Sequence, residues 1–337
     1  METNRRFTLV RRPRGAPVAS DFALVEEALA TLDAGEFLVA NRYASLDPAI
    51  RGWLSDEPSY MPPVLLGAAV RATTVGQVHS SRDPAFAPGQ WVVGLNAIER
   101  FSLVRPGGFT APVDADAVPS VTNYLSVLGA VGMTAYFGMI DLARPRAGET
   151  VLVTGAAGAV GSLVGQIARI EGARAIGIAG GPAKCARLMG HYGFDAAIDY
   201  QGKSVDALAA DIRAAAPGGV DVIFENVGGD VLDAGLLCLA PRARIVLCGL
   251  ISEYNAAAPV GARNLWQVIV HSASIHGLLV RDYLARFPEG IAAMAGWVRA
   301  GRLVFDEHIE EGLDNALPAF LRLFAGTNEG KMILKIA

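Results

Sequence analysis

The sequence predicts an α/β protein in which a doubly wound parallel sheet is inserted into a discontinuous, β-rich domain. From about residue 126 to residue 300, short apolar runs alternate with segments of helical length, a pattern typical of β–α–β units and a parallel sheet. The expected strands are Thr150–Thr154, Ala175–Ile178, Ala196–Asp199, Val220–Glu225, Arg244–Cys248 and Ser274–Leu279. Six strands at this spacing favour a nucleotide-binding domain over residues 127–304.

The flanking segments indicate a different kind of domain. Before residue 126, the apolar runs Glu36–Ala40, Val75–His79 and Gln90–Gly94 are separated by turns rich in proline and glycine. The last apolar run, Lys331–Ile336, predicts a further strand. Because the central sheet already has six predicted strands, this one could return to the first domain. We therefore predict that residues 1–126 and 305–337 together form one β-rich substrate (catalytic) domain.

Composition and charge exclude several classes of protein. The chain has 337 residues, 52% of them hydrophobic and 18% charged, with a net charge of -4. These values exclude a mostly disordered protein and disfavour a general nucleic-acid binder, which needs a basic face. The two long uncharged runs, Ala117–Ile140 and Thr150–Ala168, are interrupted by glycine and polar residues, so a buried core explains them better than a membrane span. We expect a cytoplasmic protein with reduced thiols and no membrane partner.

A glycine-rich loop follows the first predicted strand of the central domain and opens a helix. Glycine lets the backbone approach a pyrophosphate, and the helix N-terminus offers free N–H groups to it. Ala156 stands where the first glycine of G-x-G-x-x-G belongs, and an ordinary tight β–α turn is the alternative. The context favours a Rossmann dinucleotide site formed by Gly155, Gly158, Ala159, Val160 and Gly161.

The end of the second predicted strand favours NADP(H) over NAD(H). NAD-binding proteins normally carry an acidic residue there for the ribose 2′-hydroxyl, whereas this chain has Gly180 and Gly181 after Ala179. Lys184 lies four residues after Gly180 and offers a positive charge to a 2′-phosphate. A solvated lysine in the first turn of a helix is the alternative.

The distribution of metal-ligating residues predicts no metal site. Cys185, Cys238 and Cys248 all lie in the central segment, and His79 is the only histidine among the first 125 residues. A catalytic zinc would need ligands converging from the substrate domain. Without a metal, reduction of an activated C=C bond is easier than oxidation of a simple alcohol, because the carbonyl takes up the charge as an enolate.

Seven stretches along the whole chain resemble one known family. The chain is similar to the zinc-independent medium-chain dehydrogenase/reductases, in the branch of prostaglandin reductases, plant double-bond reductases and bacterial curcumin reductase. That resemblance implies a GroES-like fold for the β-rich domain. The matching stretches are Ser45–Pro48 with Arg51–Gly52, Leu128–Met139, Ala156–Gln166, Gly193–Tyr200, Phe224–Gly229, Cys248–Asn255 and Gly326–Lys331.

The resemblance also implies roles for individual residues. Lys184 and Tyr200 would bind the 2′-phosphate end of the cofactor, and Tyr254 would be the catalytic hydrogen-bond donor to the substrate oxygen or the nicotinamide ribose. The other implied cofactor contacts are Gly180, Asn226, Cys248, Ile251, Leu278, Leu279, Val280 and Asn328. Turn residues are the alternative for the two asparagines, a small buried strand residue for Cys248, and a strand cap for Tyr200.

The chain departs from the family around the expected substrate pocket. Ala49 stands where relatives have an aromatic residue, and Arg71–Thr74 replaces a glycine-rich segment. Aromatic side chains elsewhere in the same domain are candidates to line the pocket instead. The candidate pocket residues are Tyr43, Ala49, Trp53, Tyr60 and Thr73.

These observations predict a reductase that uses NADPH to reduce the C=C bond of small α,β-unsaturated carbonyl compounds. Two alternatives remain at this point: a quinone reductase of the same superfamily and an NADPH-binding protein without turnover. The resemblance also implies a homodimer, formed through the edge strand near Ser274–Leu279.

Overall fold

The computed structural model describes residues 2–258 and 260–337 and divides into two compact units. Unit 1 comprises Met1–Ser126 and Glu307–Ala337, and unit 2 comprises Val127–Asp306. The long central segment is therefore an insertion into unit 1, which confirms the predicted fold class.

The first part of unit 1 is built from short antiparallel strands. β1 pairs with β2, while β3, β4, β5 and β7 are consecutive neighbours in a second sheet and β6 pairs with β3. The elements are β1 (Thr3–Leu9), β2 (Phe22–Ala28), β3 (Phe37–Ser45), α1 (Ile50–Trp53), β4 (Arg71–Ser81), β5 (Trp91–Ala97), β6 (Phe101–Val104) and β7 (Thr110–Pro112).

Unit 2 consists of six parallel strands and the helices that connect them. Its strands are β8 (Thr150–Val153), β9 (Arg174–Ala179), β10 (Ala196–Asp199), β11 (Val220–Glu225), β12 (Leu239–Leu247) and β13 (Ser274–Gly277). Its helices are α2 (Ala130–Phe137), α3 (Ala159–Ile170), α4 (Pro182–Gly190), α5 (Val205–Ala215), α6 (Gly229–Leu236), α7 (Trp266–Val270) and α8 (Phe287–Arg299).

The strand order in this sheet is β10-β9-β8-β11-β12-β13. Every neighbouring pair is parallel. Counted within the unit, this is the 3-2-1-4-5-6 order of the doubly wound Rossmann sheet. The central strands are buried on both faces, as the continuous apolar runs of the sequence require.

The end of the chain returns to the sheet of unit 1. The last elements are β14 (Glu307–Glu311), α9 (Ala316–Ala325) and β15 (Lys331–Lys335). β15 pairs antiparallel with β3 and parallel with β14, which completes a seven-stranded sheet. The return of the last strand to the first sheet agrees with the expectation from sequence.

Two predicted strand boundaries of unit 2 differ from the structure by more than one residue. β12 begins at Leu239 and not at Arg244, since Pro241 and the left-handed Arg242 (φ 62°) interrupt its apolar pattern. β13 ends at Gly277, so Leu278 and Leu279 follow the strand. Within residues 2–258 and 260–337, no helix is long and apolar enough to cross a membrane.

Candidate functional site

The strand order of unit 2 creates a switch point between β8 and β11. After β8 the chain proceeds to β9 and β10 on one side, and after β11 it proceeds to β12 and β13 on the other. The loops that follow β8 and β11 therefore depart in opposite directions and leave a crevice at the carboxyl ends of the strands. Thr154 directly follows β8, Glu225 ends β11, and both residues are fully buried.

The glycine loop after β8 has a shape that fits a pyrophosphate. Gly155 has φ 58°, and a Cβ at Gly161 would lie 2.5 Å from the Gly155 carbonyl oxygen, so only glycine allows this close packing of helix on strand. α3 begins at Ala159, and its N-cap Gly158 makes no side-chain capping bond. The first-turn N–H groups, Val160 included, are thus available to an anion.

Ala156 fits this loop although a glycine is usual there. It is completely buried, and its N–H donates to the carbonyl oxygen of Ile178 on β9 at 3.0 Å. The missing glycine of the motif is therefore no obstacle to the loop conformation.

The carboxyl ends of β9 and β10 bring together the residues predicted for the 2′-phosphate. A Cβ at Gly180 would lie 3.3 Å from the Tyr200 hydroxyl oxygen, and Tyr200 is 42% exposed. Lys184 lies in the first turn of α4, which starts two residues after Gly180.

A carboxylate at this corner belongs to β10 and accepts hydrogen bonds from the backbone. Asp199 Oδ1 accepts the N–H groups of Gly181 at 2.8 Å and Gln201 at 3.0 Å. These two hydrogen bonds hold the pKa of Asp199 below its usual range. β9 itself ends in Ala179 without an acidic side chain, an arrangement that suits a phosphate better than a free ribose hydroxyl.

The opposite side of the switch point gathers the residues predicted for the nicotinamide half. The Asn226 side-chain amide donates to the Thr154 carbonyl oxygen at 2.7 Å, and Ile251 N–H donates to the Asn226 carbonyl oxygen at 3.2 Å. Leu250 N–H donates to the Tyr254 hydroxyl oxygen at 3.3 Å. The Tyr254 phenol is therefore held at the carboxyl end of β12.

Cys248 has a thiol that is poorly suited to nucleophilic chemistry. Burial raises the pKa of this thiol to about 12, and the neighbouring Glu225 carboxyl adds to the effect. The residue as a whole is half-buried. The thiol stays protonated at neutral pH, which agrees with a small packing residue.

The segment after β13 is fixed by close packing. Leu278 N–H donates to the Leu247 carbonyl oxygen at 2.9 Å, and Leu279 and Val280 lead into a 3-10 turn. A Cβ at Gly138 would lie 2.8 Å from Leu278 Cδ2 and 2.5 Å from the Phe224 ring. Gly138 therefore allows Leu278 to pack directly over the end of the sheet.

The predicted pocket residues of unit 1 do not form one cluster. Tyr43 packs with Val75, Leu125 and Ile333, whereas Trp53 packs against the separate apolar core that contains Leu46. Ala49 precedes α1, Thr73 lies half-buried on β4, and Tyr60 is 46% exposed.

Arg71 and Asn328 make further contacts within unit 1. The Arg71 guanidinium lies 5.9 Å from the centre of the Trp53 ring and donates to the Pro62 carbonyl oxygen at 2.7 Å. Asn328 is buried, and its amide donates to the Gly330 carbonyl oxygen at 3.0 Å. This bond is the local contact expected of a turn residue.

Comparisons with known proteins agree with both units. Residues 5–111 match a family model described as the N-terminal domain of oxidoreductase, and residues 159–296 match one described as zinc-binding dehydrogenase. The chain is 39% identical to the NADPH-dependent curcumin reductase of Escherichia coli, over 100% of this chain and 98% of that protein. It is 34% identical to the NADP-dependent 2-alkenal reductase of Nicotiana tabacum, over 99% and 98% respectively.

The fold is also similar to that of CurA from Vibrio vulnificus, which has been solved alone and with NADPH. The TM-score is 0.92 at 38% identity, and 99% of each chain is covered. The chain belongs to the medium-chain dehydrogenase/reductases. It is thus an oxidoreductase, and the family predicted from the sequence is confirmed.

One of the two matching family models is described as a zinc-binding dehydrogenase. A zinc site in this chain would need several Cys, His, Asp or Glu side chains close together. Throughout the described part of the chain, no group of three or more His, Cys, Asp or Glu side chains could hold a metal ion. Cys238 is buried and directs its thiol to the Ala209 carbonyl oxygen at 3.4 Å. The residues present do not fit a zinc site, and we assign no step to a metal.

Three polar residues that fix the backbone near the candidate site residues, Lys331, Asp199 and Glu225, were not predicted from the sequence. Lys331, which is buried, donates to the Leu46 carbonyl oxygen and to Asp47, both at 2.7 Å, and so ties β15 to the turn before Ala49. Asp199 and Glu225 end their strands and accept backbone N–H groups. An acidic residue directly after an apolar run was the available signal for both carboxylates.

Proposed function

We propose that this protein uses NADPH to reduce the C=C bond of α,β-unsaturated carbonyl compounds. The observation that carries the proposal is the convergence of Asn226, Cys248 and Tyr254 on the carboxyl ends of neighbouring strands at the switch point. The curcumin and 2-alkenal reductases that the chain resembles are named for substrates of this type. A small-molecule enone or enal is therefore the proposed substrate class.

The cofactor is NADP(H), and unit 2 offers groups for each part of it. The N–H groups at the start of α3 would hold the pyrophosphate. Lys184 and Tyr200 would hold the 2′-phosphate, with no acidic side chain at the end of β9 to repel it. Leu278, Leu279 and Val280 would contact the nicotinamide half, and Asn328 is a further proposed cofactor contact.

The chemistry assigned to the chain itself is the stabilisation of negative charge on the substrate oxygen. Bound NADPH would supply the hydride to the β-carbon of the substrate. Tyr254 would donate its phenolic hydrogen to the oxygen on which enolate charge develops. The Leu250 N–H that points at the Tyr254 oxygen polarises the phenol and makes it a better donor. Solvent would then protonate the α-carbon.

The direct test is NADPH oxidation with a panel of enones, enals and quinones, with the products identified by mass spectrometry. We expect saturated carbonyl products and turnover of enones and enals. Turnover of quinones alone, with hydroquinone products, would favour a quinone reductase. Folded protein that binds NADPH but turns over no compound would overturn the proposal in favour of a binding protein.

We further propose that the protein is a cytoplasmic homodimer that assembles through unit 2. β13 is an edge strand paired on one side with β12, and the helix that precedes it in the chain, α7, carries an exposed apolar surface. In this surface Trp266 is 67% exposed, Ile269 68% and Val270 55%. Large exposed apolar groups and an unpaired strand edge favour pairing with a second copy. The three cysteines are free, as a reducing compartment requires.

A further inference from the structure

Glu225 is a buried carboxyl group at the centre of the switch point. It ends β11, it is fully buried, and a single oxygen of its side chain accepts three hydrogen bonds. The donors to Oε1 are the Thr154 hydroxyl at 2.8 Å, Val227 N–H at 2.6 Å and Gly228 N–H at 2.7 Å. A carboxylate that accepts backbone N–H groups in this way fixes their positions strongly.

The same residue also binds the next strand along the sheet. The main-chain oxygen of Glu225 accepts the N–H groups of Cys248 at 2.9 Å and Gly249 at 3.1 Å. Through its side chain and its main chain, Glu225 therefore connects the carboxyl ends of β8, β11 and β12. The loops that follow these strands carry the glycine motif, Asn226 and Tyr254.

Thr154 completes the arrangement from β8. Its hydroxyl oxygen accepts the N–H of Asn226 at 2.8 Å while the hydroxyl hydrogen goes to Glu225. The side-chain amide of Asn226 donates to the Thr154 carbonyl oxygen at 2.7 Å. Thr154 and Glu225 thus determine where the backbone of the 226–228 loop lies and how Asn226 is oriented.

The second carboxyl oxygen shows that this arrangement is not optimised for stability alone. Glu225 Oε2 is buried and has no hydrogen-bond partner in the described chain. Burial raises the pKa of this carboxyl, and the donors on Oε1 act in the opposite direction. A buried carboxyl with one unpartnered oxygen lowers stability, so a role in holding the loop accounts for this residue better than a contribution to stability.

We propose that Glu225 is a positioning residue that holds the ends of three strands, and the 226–228 loop, in the conformation that binds the dinucleotide. The inference rests on the proposed NADPH binding by unit 2. It assigns to Glu225 no contact with the cofactor, because its side chain is enclosed by protein. Its effect is transmitted through Asn226 and through the backbone at Cys248 and Gly249.

The test compares Glu225→Gln with a matched control, Asp233→Asn. Asp233 is also fully buried in unit 2 and accepts two backbone N–H groups, from Arg263 at 2.8 Å and Asn264 at 3.1 Å, but it lies on α6 outside the switch point. Dissociation constants for NADPH are measured from the fluorescence of the bound nicotinamide, and melting temperatures are recorded in parallel.

We expect Glu225→Gln to raise the NADPH dissociation constant by about tenfold, because its neutral amide holds the three donors less strongly. The KM for NADPH should rise to the same extent, with kcat at saturating NADPH changed by less than about threefold. Asp233→Asn should lower the melting temperature and leave NADPH affinity unchanged. Equal NADPH affinity in wild type and Glu225→Gln would overturn the inference.

A second pair of variants decides the question if Glu225→Gln does not fold. Thr154→Val removes the hydroxyl that links β8 to Glu225 and Asn226, whereas Thr154→Ser retains it. We expect Thr154→Val to weaken NADPH binding about tenfold and Thr154→Ser to restore it. Identical binding by the two would contradict the inference. Failure of the wild type to bind NADPH would instead refute the proposed function.

Discussion

Lys184 and Tyr200 lie at the corner where β9 and β10 end, and they carry the proposed preference for NADPH. We predict that Lys184→Ala weakens NADPH binding by about tenfold or more, because a charge-assisted bond to the 2′-phosphate is lost. Binding of NADH, which has no 2′-phosphate, should change by less than about twofold. The dissociation constants of NADPH and NADH can both be measured by fluorescence titration. Equal losses for the two cofactors would contradict a 2′-phosphate role for Lys184.

Tyr254 is the residue on which the proposed chemistry depends most directly. Tyr254→Phe removes the phenolic donor and leaves the Leu250 N–H without its acceptor. We predict that kcat for an enone falls by about 10²-fold, the low end for loss of a positioned acid, while NADPH affinity is little changed.

Tyr124→Phe is the matched control for that experiment. The Tyr124 hydroxyl donates to the Asp114 carbonyl oxygen at the surface of unit 1, at 2.8 Å. Its removal should leave kcat unchanged. Similar rates for Tyr254→Phe and wild type would show that another group stabilises the enolate.

The buried thiol of Cys248 leads to a prediction about reactivity and pH. With its pKa raised to about 12, this thiol is almost entirely protonated at pH 8, whereas an ordinary exposed thiol is partly ionised there. We predict that iodoacetamide leaves Cys248 unmodified in native protein at pH 8 and modifies it in urea. Peptide mass mapping measures this directly, and rapid native labelling of Cys248 would contradict the protonated state.

At the scale of single elements, the contact between the glycine loop and α3 leaves no room for a side chain. A Cβ at Gly161 would lie 2.5 Å from the Gly155 carbonyl oxygen and 2.8 Å from Ala156 Cα, both of them backbone atoms that cannot move aside. We predict that Gly161→Ala lowers the free energy of unfolding by about 2 kcal/mol and abolishes NADPH binding. Urea unfolding and NADPH titration provide the two measurements.

Gly296→Ala is the control for that substitution. Gly296 lies within α8, and a Cβ there would meet no atom within 4 Å. Alanine should therefore stabilise the helix by about 0.5–1 kcal/mol and leave NADPH binding intact. If Gly161→Ala behaved like Gly296→Ala, the close approach of α3 to β8 would not be required.

The sequence was sufficient for short, mostly apolar strands without proline. Val220–Glu225 and Ala196–Asp199 were predicted with the bounds that the structure shows. The start of β12 was missed because Pro241 and two arginines hide a strand that continues through them. Local pattern therefore finds short strands that contain no proline and loses the first part of a strand that proline and arginine interrupt.

From the sequence, only those parts of the site that form contiguous motifs could be predicted. The glycine loop and the segment ending in Tyr254 are each contiguous, and both were recognisable. The bond from Thr154 to Glu225 joins residues 71 positions apart, and that from Lys331 to Leu46 joins residues 285 positions apart. Such contacts form only when the strands assemble, so no local sequence pattern predicts them.

At the scale of the whole molecule, each unit has its own core and its own polar organisation. In unit 1, Glu307 accepts bonds from Thr122, Asn123 and Ser126, which places the start of the returning segment beside the end of the first. In unit 2, Glu225 joins three strand ends. Glu307 and Glu225 each accept hydrogen bonds from residues that are distant in sequence. These bonds help to fix the geometry of the discontinuous unit 1 and of the inserted sheet in unit 2.

Assembly through the edge of unit 2 gives the last prediction. Ile269→Glu places a charge in the exposed apolar surface of α7, where Ile269 is 68% exposed. If two copies bury this surface, the carboxylate loses hydration, and we predict that the dimer dissociates into monomers. Light scattering after size exclusion measures the mass, and Leu65→Glu is the control, since Leu65 is 70% exposed but lies in unit 1. A monomeric wild type, or an Ile269→Glu protein that stays dimeric, would refute this interface.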